Sequence, residues 1–205
     1  MFRDFTLAVN KHYLPEPKVL KAIRDSCPHN LKKMQMSYDE CRILSLCLKM
    51  IKAEKVLELG TLVGCSTAWI ANALTGAQPI VVSVEKSTHH YKLAQANINR
   101  AGLQKLVRII NSDAISVLES YVGQELFDAI IIDAKKIEYS NYLKLAKLSL
   151  RSGGLIIADN TLMIDDALGE ISAEITKFNH IVENDPDLVS IILPTTAGMT
   201  VILKQ

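Results

Sequence analysis

No run of apolar residues in this chain approaches the ~20 needed to cross a bilayer, so no membrane-spanning helix is expected. There is no excess of charge of either sign. Lys and Arg number 23 against 22 Asp and Glu, a net of +1, which removes any global electrostatic case for nucleic acid or a membrane surface but leaves room for a local basic patch. Cysteine is sparse, and Cys27, Cys41, Cys47 and Cys65 have no metal-site spacing. They read as packed, reduced thiols of a cytoplasmic protein. No signal-peptide core follows Met1-Phe2-Arg3-Asp4-Phe5, and a secretory leader is not expected. Internal repeats, low-complexity tracts and linkers are absent too. The 205 residues therefore read as one domain, 1–205, with N-terminal helices over 1–52 packing on or covering its core.

What is there is organised around Val56-Leu57-Glu58-Leu59-Gly60-Thr61-Leu62-Val63-Gly64-Cys65-Ser66. Val56, Leu57 and Leu59 suit a strand covered on both faces. Gly60 and Gly64 bracket a tight turn where a side chain would keep a ligand from the backbone. Ser66 and Thr67 can cap a following helix, whose free amides attract a carboxylate or phosphate. Further on, Ile80-Val81-Val82-Ser83-Val84 ends in Glu85, an acid placed to bind the two ribose hydroxyls of a nucleotide-like cofactor.

Short helices are expected near 4–13 and 17–26. Ser37 with Glu40 then forms a capping box opening a helix that buries Cys41, Leu44, Leu48 and Ile51. The Met34–Ser37 loop can reach the cofactor pocket. From residue 55, strands near 55–60, 79–85, 106–111, 127–133 and 154–159 alternate with helices near 65–75, 87–101, 113–121, 138–150 and 165–183. That alternation predicts an α/β fold, a Rossmann-like and mostly parallel sheet with helices on both faces. Gly153-Gly154 is expected to turn the chain into the fifth strand. Leu188–Leu193 and Met199–Leu203, separated by Pro194–Gly198, predict a closing antiparallel hairpin.

Ligands of such sheets sit beyond the carboxyl ends of the strands. Polar residues gather at those ends: Thr61, Glu85, Ser112-Asp113-Ala114, Asp133-Ala134-Lys135-Lys136 and Asp159-Asn160-Thr161. Asp133 and Asp159 end adjacent strands, so their carboxylates can lie side by side. With Asn160 they make a hard oxygen set suited to Mg²⁺. Without a metal, two close acids repel and one is protonated. Lys136 is a plausible base toward a phenol beside a bound dication and a sulfonium, and Lys135 is the more exposed neighbour.

These motifs resemble the cation-dependent small-molecule O-methyltransferases, the group containing catechol and caffeoyl-CoA O-methyltransferases within the class I S-adenosylmethionine-dependent methyltransferases. The resemblance is carried by Glu58-Leu59-Gly60-Thr61 with Gly64-Cys65-Ser66, Glu85, Ser112-Asp113-Ala114, Asp133-Ala134-Lys135-Lys136 with Tyr139, Asp159-Asn160, and Leu193-Pro194 with Gly198-Met199. It implies that S-adenosylmethionine lies across the first strand ends. Glu58, Gly60 and Thr61 would form the turn at its methionine part, Ser66 would hold the carboxylate and Glu85 the ribose. Asp113 and Ala114 would border the adenine, the Met36 backbone would cover the cofactor, and Asp133 would lie near its amino group. Asp133, Asp159 and Asn160 would bind Mg²⁺ (or Mn²⁺ or Ca²⁺), which would chelate two adjacent oxygens of a hydroxylated aromatic, with Lys136 taking the proton. A homodimer through the N-terminal helices is implied as well.

The chain departs from the family's pattern at several places. Cys65 stands where the first motif usually has an aromatic or small residue. Lys135 stands where a second acid is frequent, Thr161–Asp166 lacks the usual tryptophan and glycine-containing insertion, and Thr195-Thr196-Ala197 stands where an acid often precedes the glycine. The last two should border the acceptor. Other readings are O-methylation of a hydroxylated uridine in tRNA, which the net charge does not support, and a cofactor-binding protein without catalysis. An NAD-dependent oxidoreductase is disfavoured because Gly60 and Gly64 do not make a Gly-x-Gly-x-x-Gly spacing.

Overall fold

The computed structural model of the chain describes residues 15–205. The helix expected near 4–13 lies outside them. Seven strands, β1 (Lys55–Leu59), β2 (Ile80–Glu85), β3 (Val107–Asn111), β4 (Phe127–Ile132), β5 (Leu150–Asp159), β6 (Leu188–Leu193) and β7 (Met199–Lys204), form one sheet in the order β3-β2-β1-β4-β5-β7-β6. Pairing is parallel from β3 through β5 and antiparallel in β5-β7-β6. This is the expected Rossmann-like sheet with its closing hairpin. The strand order reverses about β1 and β4, and that reversal opens the crevice in which ligands of such sheets bind.

Helices α1 (Lys18–Asp25), α2 (Tyr38–Met50), α3 (Cys65–Ala73) and α4 (Thr88–Arg100) cover one face. Helices α5 (Ala114–Glu119), α6 (Tyr139–Ser149) and α7 (Glu170–Asn184) cover the other. The central strands show why both faces need cover. Ala129 and Ile131 of β4 pack with Leu44, Leu48 and Ile70, whereas Ile130 and Ile132 pack with Leu143, Phe178 and Ile175. Residues Ala129 to Ile132 are wholly buried, so apolar side chains at every position satisfy both layers.

Several boundaries differ from expectation for local reasons. The Gly153-Gly154 pair is not a turn before the fifth strand. β5 begins at Leu150, and the register shifts so that Phe127 pairs Leu150 while Ala129 pairs Leu155. The extra residues form a bulge, with Gly153 at φ 70°. Ser66 and Thr67 do not cap α3. Gly64, left-handed at φ 84°, is the N-cap, and both hydroxyl residues lie inside the helix. Asp113 caps α5 by accepting from the Ile115 amide instead of lying within the helix. The stretch expected as one helix over 165–183 is a 3-10 turn at Asp166–Leu168, a break at Gly169, and then α7. A 3-10 turn also fills His29–Met34, between α1 and α2. The capping box at Ser37 forms: Glu40 N donates to Ser37 Oγ, and Ser37 N donates to Glu40 Oε2.

The crevice is set by the approach of two strand ends. The Asp133 amide donates to the Leu59 carbonyl at 2.9 Å. Gly60, at φ 97°, then passes so close to β4 that a Cβ there would stand 2.0 Å from the Asp133 carbonyl oxygen. Its glycine requirement is thus internal as well as ligand-directed. Gly60→Ala combines a left-handed backbone with a backbone collision and is expected to destabilise the fold by about 2–5 kcal/mol. Urea unfolding checks this, and an unchanged midpoint would refute the close approach.

Candidate functional site

A cavity of about 790 Å³ opens along the carboxyl ends of β1, β2, β3 and β4. Of the residues singled out in the sequence, Met36, Gly60, Thr61, Ser66, Glu85, Asp113, Ala114, Asp133, Lys136 and Asn160 line it. Glu58 and Asp159 do not. They lie directly behind the wall, 1% and 2% exposed.

At one end of the cavity, Glu85 is held by backbone. Its Oε2 accepts from the Leu62 amide at 2.9 Å and its Oε1 from the Ser87 amide at 2.8 Å. Leu62 adopts φ 50°, an uncommon conformation for a leucine, and the bond to Glu85 fixes the turn in that state. His90 Nδ1 lies 3.6 Å from Glu85 Oε1 and lines the same cavity. Asp113 is held by the α5 amide and by Lys86 Nζ at 2.9 Å, which is the main reason its carboxyl titrates below the ordinary range. The Met36 carbonyl accepts from Arg24 Nη1 at 2.6 Å.

Beneath the turn, Glu58 Oε2 accepts from Thr67 Oγ1 at 2.5 Å and Ser83 Oγ at 2.6 Å, while Oε1 is buried with no hydrogen-bond partner. Ser83 in turn is 2.5 Å from Thr61 Oγ1. Burial pushes the Glu58 carboxyl up to about 7, against the hydroxyls of Ser66, Ser83 and Thr67, and the negative Asp133 adds to the rise. Glu58 is thus a floor that fixes Thr61 and α3 from below.

At the other end the β4–β5 pairing brings Asp133 and Asp159 together, since Ile132 is registered on Ala158. Lys136 Nζ donates to Asp133 Oδ1 and to Tyr139 Oη, each at 2.8 Å. Tyr139 Oη donates to the Asp159 carbonyl at 2.9 Å. Burial, then the negative charges of Asp133 and Glu40, hold the Asp159 carboxyl well above the ordinary carboxylate range, opposed by Lys136 and the Asn160 amide. Asn160 stands at φ 63°, a left-handed conformation that asparagine tolerates, and this turns the chain at the cavity rim.

This corner brings two acids and one lysine together in a poorly solvated place, and its donors are two carboxyl groups and an amide oxygen. That set fits a hard divalent cation. Among the described residues no group of three or more His, Cys, Asp or Glu is arranged to hold a metal, so any such site depends on Asn160 and water to complete it. Lys135 also lines the cavity and is paired there: its Nζ donates to Glu138 Oε1 at 2.7 Å, and Tyr142 Oη donates to Glu138 Oε2 at 2.6 Å. The charge reversal at Lys135 is therefore matched by Glu138.

Sequence reasoning placed Tyr139 only in the motif that carries the resemblance and Glu40 only in a capping box, and it singled out neither His90 nor Arg24. Tyr139 and Glu40 carry a weak signal, being three residues after Lys136 and at the N3 position of a capping box. Arg24 carries none, because only the tertiary fold brings α1 to Met36.

Residues 10–205 match the family model described as O-methyltransferase. A catechol O-methyltransferase of Niastella koreensis is 36% identical over 158 residues, spanning 76% of this chain and 71% of that protein. Caffeoyl-CoA O-methyltransferase 1 of Eucalyptus globulus is 29% identical over 203 residues, spanning 92% and 82%. Among solved structures, the O-methyltransferase from Bacillus cereus in complex with SAH superposes with a TM-score of 0.87 at 27% identity, covering 97% of this chain and 96% of that one.

Glu58 makes stability depend on pH. Its folded value of about 7 exceeds the ordinary 4.5, so the folded state binds its proton more tightly. The contribution is fully present below pH 4.5 and is lost as pH rises through about 7. Glu58→Gln should flatten that part of the pH–stability curve by about 3 kcal/mol. Urea midpoints of both proteins at pH 5 and pH 8 check it, and parallel curves would show that Glu58 is not the titrating group.

Proposed function

The chain belongs to the O-methyltransferase family, and from that premise we propose that it transfers the methyl group of S-adenosylmethionine to a hydroxyl of a small catechol-like molecule held by a divalent metal. The observation that carries this reading is the joining, in one cavity, of a backbone-held acid at Glu85 with Asp133, Asn160 and Lys136, with Asp159 behind the wall at the same end.

S-adenosylmethionine supplies a methyl group on a sulfonium, and a cation at Asp133, Asp159 and Asn160 (Mg²⁺, or Mn²⁺ or Ca²⁺) supplies positive charge beside the acceptor hydroxyl. The chain's own residues do the rest. Glu85, pre-aligned by the Leu62 and Ser87 amides, accepts the ribose hydroxyls without having to reorganise. Ser66, on the first turn of α3, takes the carboxylate of the methionine part where helix amides are unpaired. Asp113 and Ala114 flank the base, and Met36 closes over it. Lys136 is the proton acceptor for the hydroxyl, kept at this end of the cavity by Asp133 and Tyr139 Oη. The gain in rate then comes mainly from alignment of the attacking oxygen, the methyl and the sulfur. A homodimer through the N-terminal helices belongs to the same proposal, and the exposure of Leu46 and Met50 on α2 supports it.

The deciding assay follows labelled methyl from S-adenosylmethionine into a catechol panel and into total tRNA, each with Mg²⁺ or chelator. Chelator-sensitive labelling of a catechol is the expected result. Labelling of tRNA alone would replace the acceptor while keeping the chemistry.

Two substitutions separate the ends of the cavity. Asp159→Ala is expected to abolish metal-dependent transfer while S-adenosylmethionine affinity persists; turnover at the wild-type rate would sink the metal assignment. Glu85→Ala should weaken S-adenosylmethionine binding by about 1–3 kcal/mol, the scale of losing hydrogen bonds to a charged group. Equal affinities by calorimetry would remove Glu85 from the site.

A further inference from the structure

The segment that leads into α2 is clasped from outside the cavity. Arg24, in the last turn of α1, donates from Nη1 to the Met36 carbonyl at 2.6 Å, and Gln35 Nε2 donates back to the Arg24 carbonyl at 3.3 Å. The same guanidinium donates from Nε to both carboxylate oxygens of Glu16, at 3.1 and 3.0 Å, and from Nη2 to Cys41 Sγ at 3.5 Å. Glu16 Oε1 also accepts from Trp69 Nε1 at 3.0 Å. Trp69 lies on α3, one turn beyond Cys65 and Ser66. Its ring meets that of Tyr38, the first residue of α2, with centroids 5.8 Å apart. One run of hydrogen bonds thus joins α3, the chain before α1, α1 itself and the Met36 segment. Gln35, Met36, Cys65 and Ser66 line the cavity, whereas Arg24, Glu16 and Trp69 do not.

We propose that Arg24 is a positioning residue for the cofactor: braced by Glu16 against Trp69, its guanidinium holds the Met36 segment over the cavity and so sets how long a bound cofactor stays.

The contacts call for an arginine. A guanidinium presents several donors in one fixed plane, so it serves a carboxylate, a carbonyl and a sulfur together, whereas an ammonium is a point charge on a flexible stem. The Arg24 and Glu16 side chains are 19% and 8% exposed, so the pair is shielded from solvent, unlike surface pairs that contribute little. Glu16 stands between Pro15 and Pro17, which restrict the backbone on both sides of it before any contact forms.

A segment already held in place has less freedom to lose when a ligand binds beneath it. Released from Arg24, the Met36 segment has to be ordered by the ligand, which weakens binding, and such changes fall mainly on the rate of release. The effect on binding rests on the reading of this cavity as the S-adenosylmethionine site, but the clasp does not.

The test compares the full wild-type chain with Arg24→Lys, which keeps the charge and loses the fork, with Glu16→Gln, and with the double variant. Leu20→Ala is the control, because it empties a buried place on α1 and leaves the clasp its partners. Calorimetry gives the affinity for S-adenosylhomocysteine, stopped flow its release rate, and urea unfolding the stability. Trypsin, acting on the free protein, gives the rate of cutting after Lys32 and Lys33, two exposed residues just before the clasped segment. Arg24→Lys and Glu16→Gln are each expected to bind about tenfold more weakly, to release faster with little change in association, and to be cut faster. The double variant should bind no more weakly than Arg24→Lys alone, since the two residues act as one unit. Leu20→Ala should lose stability and keep its affinity and release rate. Wild-type affinity in both Arg24→Lys and Glu16→Gln would overturn the proposal. So would an equal loss of affinity in Leu20→Ala, which would mark the effect as general loosening of α1. If the wild-type chain binds no S-adenosylhomocysteine, the proposal falls with the cofactor reading, and faster cutting of the two variants would then place the error in the reading of the cavity and not in the clasp.

Discussion

The structure depends on how closely β4 approaches the turn after β1. The Asp133 amide bonds the Leu59 carbonyl, and the Asp133 carbonyl occupies the space in which a Cβ of residue 60 would sit. That contact fixes three things together. It sets the opening of the turn that leads into α3. It places the Asp133 side chain over the crevice and not inside the sheet. Through the β4–β5 register it also brings Asp159 alongside. A larger residue at position 60 would part the strand ends and spread the whole rim, so one missing methyl group controls the geometry of both ends of the cavity.

The second constraint is charge. Glu58, Glu40 and Asp159 are buried acids beneath or beside the cavity, and Asp133 faces it. Each is handled differently. Glu40 is satisfied locally by the Ser37 amide and hydroxyl. Glu58 collects hydroxyls on one oxygen and leaves the other bare, so neutralisation by a proton is its easiest state near pH 7. Asp133 has Lys136. Asp159 has the Asn160 amide and the opposing field of Lys136, with two acids raising it. The unsatisfied demand for positive charge thus concentrates where β4 and β5 end, which is where an oxygen-ligating cation has a physical reason to go. Lys136 sits inside the same field, bonded to Asp133 and to Tyr139, and is not a solvated side chain.

The sheet was legible because its signal is local and repeated. Five apolar runs, each ending in a polar residue and followed by a helical pattern, are sufficient to predict parallel strands and the rim they share, and Leu188–Leu193 with Met199–Leu203 shows a hairpin by its Pro–Gly link. The polar residues that line the cavity were legible for the same reason, since a polar residue at the end of a buried strand has few places to point. The exceptions are informative. Glu58 sits on the strand rather than past its end, so it faces the interior. Ser66 and Thr67 looked like caps because no sequence rule showed that Gly64 would take that position first. The bulge at Gly153 was read as a turn because two glycines look alike in both, and only the pairing of Phe127 with Leu150 distinguishes them. Arg24 acts through contacts with Met36 and Cys41, twelve and 17 residues on, which periodicity cannot reveal.

The border of the cavity formed by Met163 and Ala197 shows the same limit. The two segments that depart from the family's pattern are bonded to each other. The Thr161 amide donates to the Gly198 carbonyl at 3.0 Å, the Leu162 amide to the Ala197 carbonyl at 2.7 Å, and Thr200 Oγ1 to Thr161 Oγ1 at 2.7 Å. Asn179 of α7 donates to the Thr161 carbonyl. Gly198, at φ 79°, passes close enough to Leu162 that a Cβ would collide with that residue. Met163 and Ala197, one from each segment, line the cavity. The departures are therefore one coupled change and not two. A loop shortened after Asn160 is packed on a hairpin turn that carries Ala197 where an acid often stands, so this border of the cavity is apolar and is braced by backbone hydrogen bonds. Exchanging either segment alone for a relative's would break the contacts that position the other.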